Sequence, residues 1–508
     1  MIIEDIKIID ILQDGRGVAR QEGKTVFVEN AVYGETLDAK VIAEKKNFLE
    51  AKKLQTKIKS DYQRKPPCPY FYECGGCSIM DINYDTQIEL KKNLIKNAIK
   101  KSTGLEIDGI EIVKSPEFRY RNKIRLQVDK DGGLNYLETY SKKLVKINDC
   151  LIANEKISKN LANIEKITKD INQKFVGIIE EISIRASENN LLLNLQGKFD
   201  NQAIAYINEK YSNSFYNINL IVGKDLIIIS GEGYLDYKIG QKEFKISAND
   251  FYQVNDYQIE NLYGMAREFL GENQKLLDIY CGSATSSMSI NDDHIVGVEI
   301  NKNAIEDAKE NAKINGLRDY KFIAKNAKFI DSSFIIKEKI DAVTVDPPRA
   351  GLDKDVVKTI ANAGIDKIVY ISCNPQTLAR DIKRFMDRGY ELKKLKAVDM
   401  FPQTMHAETV ALLSKLNTEH HLDIEIGEDE LSEIDFSKDA TYGEIKKYVL
   451  DKYGLKVSSL YIAQIKRKHG LIERENYNFS KKENQRVPNC PEEKEKAIED
   501  ALEHFGMI

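Results

Sequence analysis

Ile371-Ser372-Cys373-Asn374-Pro375 closes the apolar run Lys367-Ile368-Val369-Tyr370-Ile371 and opens the helix-like Gln376-Thr377-Leu378-Ala379-Arg380-Asp381. A β-branched run that meets a proline reads as a buried strand entering a turn. Cys373 then stands at the carboxyl end of a strand, and in an open parallel α/β sheet ligands collect at that edge. A thiol there is a candidate nucleophile. The competing reading is a small buried hydrophobe, the usual fate of a free cysteine.

The surrounding pattern extends the sheet in both directions. Leu276-Leu277-Asp278-Ile279-Tyr280, Ile295-Val296-Gly297-Val298-Glu299, Lys321-Phe322-Ile323-Ala324 and Asp341-Ala342-Val343-Thr344-Val345 read as strands, and Ala304 to Asn315 as a helix stopped by Gly316. This is a Rossmann-like sheet. Its first turn, Cys281-Gly282-Ser283-Ala284-Thr285, lacks the Gly-x-Gly-x-x-Gly fingerprint, which disfavours a nicotinamide cofactor. Glu299, closing the second strand, can accept both hydroxyls of a ribose, or can be a solvated strand end. In Asp346-Pro347-Pro348-Arg349 the prolines remove amide donors and hold the turn extended, projecting Asp346 into the crevice. Tyr390 to Pro402 and Glu408 to Leu413 are two strands with no room between them for a crossover helix, so they pair antiparallel. Glu408 then emerges at the edge that already carries Cys373, Asp346 and Glu299.

With 508 residues, two to four domains are expected. Hydrophobic residues at 42% and charged residues at 31% describe a soluble globular chain with no membrane-spanning run. Met1 to Asp14 lacks a secretory pattern, so a cytoplasmic location is expected. The net charge of −4 is unevenly spread: Lys40 to Lys65 holds nine Lys or Arg against three acids, whereas Glu419 to Asp439 holds nine acids and one Lys. The first segment suits phosphates and the second does not. Seven unevenly spaced cysteines argue against a disulfide framework. Cys68, Cys74 and Cys77, with Cys150 after a long gap, suggest metal or cluster ligation; composition leaves zinc and iron–sulfur both open.

Taken in order, the chain is a multidomain α/β protein. Residues 1–57 read as a small β-barrel, with strand chemistry at Ile6 to Ile11, Thr25 to Val28 and Lys40 to Lys46 and glycines at the turns. Residues 58–245 form an α+β central domain, residues 246–416 the Rossmann-like domain, and residues 417–508 an acidic linker with a helix-turn-helix-like extension. In the central domain, Gln87 to Lys101 has helical spacing. Phe118-Arg119-Tyr120-Arg121-Asn122-Lys123 interleaves guanidinium groups with aromatics that could hold phosphates and stack unpaired bases. A helix is expected over Asp256 to Leu270.

Several of these motifs resemble one family. Gly15-Arg16-Gly17-Val18-Ala19, Val26-Phe27-Val28 and Gly34-Glu35 resemble the TRAM module, an OB-like RNA-binding barrel. Cys68-x5-Cys74-Gly75-Gly76-Cys77 with Cys150 resembles the ligand set of a [4Fe-4S] cluster in uracil-5 RNA methyltransferases. Asp346-Pro347-Pro348-Arg349, Ser372-Cys373-Asn374-Pro375 and Met400-Phe401-Pro402…His406-Ala407-Glu408-Thr409 look like the RNA 5-methyluridine methyltransferase family, a match that spans residues 1 to about 416.

The resemblance implies a class I methyltransferase domain that uses S-adenosylmethionine, with Gln253, Tyr280, Gly282, Glu299, Asn326 and Asp346 at the cofactor and Arg119, Arg121 and Lys123 near RNA. It implies Cys373 as the nucleophile that adds to carbon 6 of uracil and Glu408 as the base at carbon 5, on a target base that must leave its stack. The TRAM-like start and the cysteines are closer to the 23S rRNA branch than to the tRNA branch, and a monomer is expected. Two departures stand out: Ala284 replaces the second glycine of the family's first loop, and Asn326 replaces an acid after the third strand. Two alternatives are a tRNA uracil-5 methyltransferase and a non-catalytic RNA-binding protein that kept the fold.

Overall fold

Long apolar runs with no alternation bury both faces of a strand, and such runs build the largest sheet of the protein. The computed structural model describes residues 1–139, 141–272, 274–416, 442–469, 471, 490–505 and 507–508. They divide into two units, Met1–Asn417 and Thr418–Ile508. The large sheet has eight strands in the spatial order Tyr320–Ala324, Ile295–Glu299, Leu276–Ile279, Ala342–Val345, Lys367–Ser372, Glu408–Lys415, Tyr390–Val398 and Glu111–Val113. The first five are parallel, and Glu408–Lys415 runs against both of its neighbours, as the short connection requires. Helix Asp256–Leu270 has the expected bounds, with Asn255 Oδ1 accepting from Tyr257 N at its start.

Two features of this sheet depart from the sequence reading. A short helix, Thr285–Ile290, lies between the first two strands, and all six of its residues are buried. Its serines disguise it: the hydroxyls of Ser286 and Ser287 turn back onto the carboxylate of Asp278, at 3.0 and 2.5 Å. Secondly, strand Glu111–Val113 joins the far edge parallel to Tyr390–Val398, and helix Tyr84–Thr103 packs on helix Pro375–Met386. The stretch from 84 to 113 therefore belongs with this sheet instead of with the cysteine region beside it in sequence.

The central region forms a seven-stranded sheet ordered Leu144–Lys146, Leu134–Leu137, Lys123–Val128, Ile179–Ala186, Leu191–Gly197, Asn217–Val222 and Asp225–Ser230. Helices Glu155–Lys174 and Asn201–Tyr211 accompany it. The amino-terminal module is a six-stranded sheet curled around Ile3, Ile6, Ile8, Val26, Val28 and Leu37. Its buried Glu35 accepts from Val32 N at 2.7 Å, from Thr56 Oγ1 at 3.0 Å and from Lys53 Nζ at 2.7 Å, so one lysine of the basic stretch serves the barrel itself. The acidic linker, Glu419 to Asp439, lies outside the described residues. In the carboxyl-terminal unit, helices Tyr442–Tyr453 and Ser459–Lys468 are joined by a third, Glu492–His504, around Ile445, Val449, Ile462, Ile498 and Leu502.

The segment between the last two strands is pinned from a distance. Lys91, fully buried in helix Tyr84–Thr103, donates to Asp399 Oδ1 at 2.5 Å and to the Phe401 carbonyl at 3.1 Å, and Tyr84 Oη donates to Asp399 Oδ2 at 2.9 Å. Removing one partner of such a pair leaves a buried charge without compensation. Lys91→Met is expected to lower stability in urea denaturation by about 3–5 kcal/mol, and the double variant Lys91→Met/Asp399→Leu to recover most of that loss.

Candidate active site

The strand register decides which side chains meet. Ser372 pairs with Thr409, and Thr409 Oγ1 donates to the Ser372 carbonyl at 2.9 Å. In an antiparallel pair the next residues outward are opposite one another, and these are Cys373 and Glu408. The turn after Cys373 is held by Asn374 N donating to Ser372 Oγ at 3.1 Å, and Asn374 Oδ1 then caps helix Pro375–Met386 through Gln376 N. Asp346 follows the adjacent strand, with Arg349 three residues further on.

This crevice concentrates negative charge. Burial first, then Glu408 and Asp346, push the Cys373 thiol up to about 11, while Arg349 pulls the other way. Burial and then Asp346 hold the Glu408 carboxyl well above the usual carboxylate range. Asp346 is raised to about 7 by burial and then by Asp278. Every group is biased toward its neutral form, as desolvated like charges must be. Among the described residues Arg349 supplies the positive charge that acts on this pair, and a cationic ligand would suit the site.

Glu299 ends a strand three places along the sheet from the cysteine strand, roughly 14 Å away at normal strand spacing. It shares the carboxyl edge but lies at the opposite end of the crevice, and its Oε1 accepts from Asn301 N at 2.8 Å. Between the two ends, Asp278 is buried and raised to about 6 by that burial, against the opposing bonds from Ser287, Thr344 and Ser286. Gln253 is 3% exposed, and its carbonyl accepts from Asn122 Nδ2 at 3.0 Å. Tyr280, with φ 73°, and Gly282, with φ 53°, shape the first loop. Asn326 is exposed, borders a groove shared with Tyr280, and accepts from Lys328 N at 3.0 Å.

The methyl of Ala284 is fully buried in the apolar core. The cost of replacing glycine there is backbone strain, since Ala284 has φ 63°, a conformation that costs an L-residue roughly 1–2 kcal/mol.

Cys68, Cys74, Cys77 and Cys150 are all free and line one small cavity with Tyr70, Phe71, Met80 and Tyr136. Burial, and after it the charges that neighbouring thiolates would carry, push Cys74 up to about 11 and hold Cys77 well above the ordinary thiol value. Among the described residues, no three His, Cys, Asp or Glu side chains stand close enough to share a single metal ion.

The basic stretch divides. Arg119 is engaged by Asp149, at 2.8 and 3.0 Å, and donates to the Cys150 carbonyl at 3.0 Å, so it braces the cysteine segment. Tyr120 is buried, its hydroxyl donating to the Pro402 carbonyl at 2.9 Å. The expected interleaved stacking surface is therefore not formed, because its central aromatic is used for packing. Lys123 is pushed down to about 7 by burial and then by Arg185, Arg125 and Arg121. Arg121 does face a groove of about 660 Å³, together with Arg125, Arg349, Phe401 and His406. Sequence reasoning quoted Arg349 and His406 inside a motif without giving them work, and it passed over Asp278, whose acid in mid-strand was the available signal.

The Rossmann-like sheet with an acidic crevice at its carboxyl edge and an arginine-lined groove beside it is a methyltransferase fold, and the comparisons give its chemistry. Residues 83–416 match the family described as tRNA (Uracil-5-)-methyltransferase, and residues 3–54 match the TRAM domain. An uncharacterized RNA methyltransferase of Halalkalibacterium halodurans is 33% identical over 82% of this chain and 97% of its own. One of Clostridium acetobutylicum is 32% identical over 81% of this chain and 97% of its own. The crystal structure of the Pyrococcus abyssi tRNA (uracil-54, C5)-methyltransferase in complex with S-adenosyl-L-homocysteine is similar with a TM-score of 0.63, at 27% identity over 80% of this chain and 100% of that one. The chain belongs to the tRNA (uracil-5-)-methyltransferase family and is an S-adenosylmethionine-dependent RNA (uracil-5-)-methyltransferase. No helix among the described residues is long and apolar enough to cross a membrane.

The crowding of acids makes a specific demand on the thiol. Alkylation of Cys373 by iodoacetamide, followed by mass spectrometry across a pH series, is expected to rise toward a midpoint near 11. Asp346→Asn removes a like charge and should move that midpoint down.

Proposed function

We propose that this enzyme methylates carbon 5 of a uridine in 23S rRNA through a covalent adduct on Cys373. The observation that carries the mechanism is the register that sets Cys373 against Glu408 at one edge of the sheet. Carbon 5 of uracil is a weak nucleophile until something adds at carbon 6. The Cys373 thiol gives up its proton to solvent as its sulfur bonds to carbon 6, and the electron pair of the 5,6 double bond moves toward the carbon-4 carbonyl as an enolate. S-adenosylmethionine supplies an electrophilic methyl on a cationic sulfur. Glu408, which is ionised for this role when a cationic ligand and Arg349 offset its burial, then removes the proton from carbon 5, the double bond re-forms and Cys373 leaves. Arg349 offsets the charge of the thiolate and the carboxylates.

Gln253, Tyr280, Gly282, Glu299, Asn326 and Asp346 are proposed to hold the cofactor, Glu299 through the ribose hydroxyls and Asp346 near the reacting end. Four free thiols around one cavity fit a [4Fe-4S] cluster held by Cys68, Cys74, Cys77 and Cys150. A single zinc would draw its thiolates to about 3.8 Å from one another at a Zn–S bond of about 2.3 Å. A [4Fe-4S] cluster would be held by the thiolates of these four cysteines and would give the buried sulfurs iron to bind. Arg121, Lys123 and the groove beside them are proposed to face RNA.

A tRNA substrate is the second reading, favoured by the similarity to the Pyrococcus abyssi enzyme. Mapping 5-methyluridine in 23S rRNA and tRNA from a strain lacking the gene separates the two: loss from tRNA alone would overturn the rRNA assignment.

Cys373→Ala is expected to abolish both methylation and covalent capture of 5-fluorouridine RNA while cofactor affinity by calorimetry stays near wild type. Glu408→Gln should still form the adduct but turn over about 10²–10⁴-fold more slowly. Protein purified without oxygen is expected to be brown, with absorbance near 400 nm, and Cys150→Ser to lose the colour; a colourless wild type that binds zinc would reverse the cluster assignment.

A further inference from the structure

The amino-terminal barrel reaches the candidate active site at Gln13. Gln13 lies in the loop between strands Asp10–Ile11 and Gly17–Gln21. That loop abuts the cysteine region so closely that a Cβ on Gly15 would fall 2.6 Å from Ser78 Cβ and 3.1 Å from the Ser78 carbonyl oxygen. Gly15, with φ 89°, is therefore required at the contact. Ser78 N in turn donates to the Gln403 carbonyl at 2.9 Å, which fixes the segment leading to Glu408. Across this seam Gln13 Nε2 stands 3.0 Å from Nδ1 of His406, two residues before Glu408.

The protonation state of His406 follows from its surroundings. Burial, then Arg349, Lys91 and Arg121, push it down to about 4. Lys91 is itself paired with Asp399, while Asp14 and Glu138 line the same groove as His406, and Glu408 is buried behind it. The ring is neutral at physiological pH and carries one N–H. Because the Gln13 amide nitrogen donates to Nδ1, that proton is on Nε2. No hydrogen-bond partner reaches Nε2 among the described residues, and the ring borders the groove of about 660 Å³ shared with Arg121, Arg125 and Arg349. Phe401 meets it edge-on at 6.1 Å between centroids, which holds its orientation.

We infer that His406 binds RNA by donating its Nε2–H to an acceptor oxygen of the strand beside the target uridine, and that Gln13 of the barrel is the positioning residue that fixes this tautomer. The inference rests on the RNA reading of the groove. It makes the TRAM barrel a contributor to the geometry of the active site as well as a surface for RNA.

The test uses the full chain and total RNA from a strain lacking the gene. Nitrogen-15 NMR of labelled histidine should show His406 as the Nε2–H tautomer in wild type and as a mixture in Gln13→Ala. Filter binding of that RNA should weaken about tenfold in His406→Ala, and less in Gln13→Ala, with no further loss in the double variant. His406→Gln, which returns an amide N–H near the Nε2 position, should recover most of the affinity, a rescue that a purely structural role would not give. An Nδ1–H tautomer in wild type, or unchanged RNA binding in a folded His406→Ala protein, overturns the inference. Failure of the methylation reading would appear differently, as wild-type protein that binds this RNA and the tautomer unchanged but forms no Cys373 adduct.

Discussion

A lysine and an aspartate with no exposure to water, Lys91 and Asp399, hold the rest of the active site in place. Their separation in sequence is the point: one stands on an early helix, the other at the end of the strand Tyr390–Val398. Around them Gln403, itself buried with φ 69°, accepts from Arg64 and Gln87 and donates to Glu117, while Asn255 Nδ2 reaches the Met400 carbonyl at 3.2 Å. A loop of nine residues is thereby given the rigidity of a strand. Glu408 and His406 both depend on it, and neither could be placed to within a hydrogen-bond length by a loop free to move.

The crevice itself stores unfavourable electrostatics. A thiol and two carboxylates raised from their ordinary values, with a third buried acid at Asp278, form a combination that stability alone would not select. Three hydroxyl donors make Asp278 tolerable, and Arg349 moderates the rest. What remains is an imbalance that a cationic ligand corrects, and this gives the site a physical reason to prefer a sulfonium over a neutral molecule of the same shape.

Much of this architecture was legible in the residues because strand chemistry and topology are local or combinatorial rules. The runs ending at Glu299, Val345 and Ser372, and the antiparallel return of Glu408, follow from apolar continuity and from a loop too short for a crossover. Helix Thr285–Ile290 was hidden because Ser286 and Ser287 are satisfied by Asp278 and not by solvent, a contact invisible before folding. Arg119 looked like a phosphate ligand for the same reason: only the fold reveals Asp149 beside it. The Gln13–His406 contact joins residues from opposite ends of the large unit, and no periodicity marks such a pair.

The edge strand Glu111–Val113 has an implication for how the chain comes to be assembled. It is made early by the ribosome, yet its strand partner among the described residues, Tyr390–Val398, is made among the last of the large unit. Folding of this sheet cannot simply follow synthesis, since a short segment must wait with its backbone amides unmatched until most of the protein exists. The same pairing covers only the far end of that edge, Lys396 to Val398, while Lys393 and Lys394 stand along the part it leaves open, where charge discourages pairing with another chain. A modular-looking enzyme is in this respect indivisible.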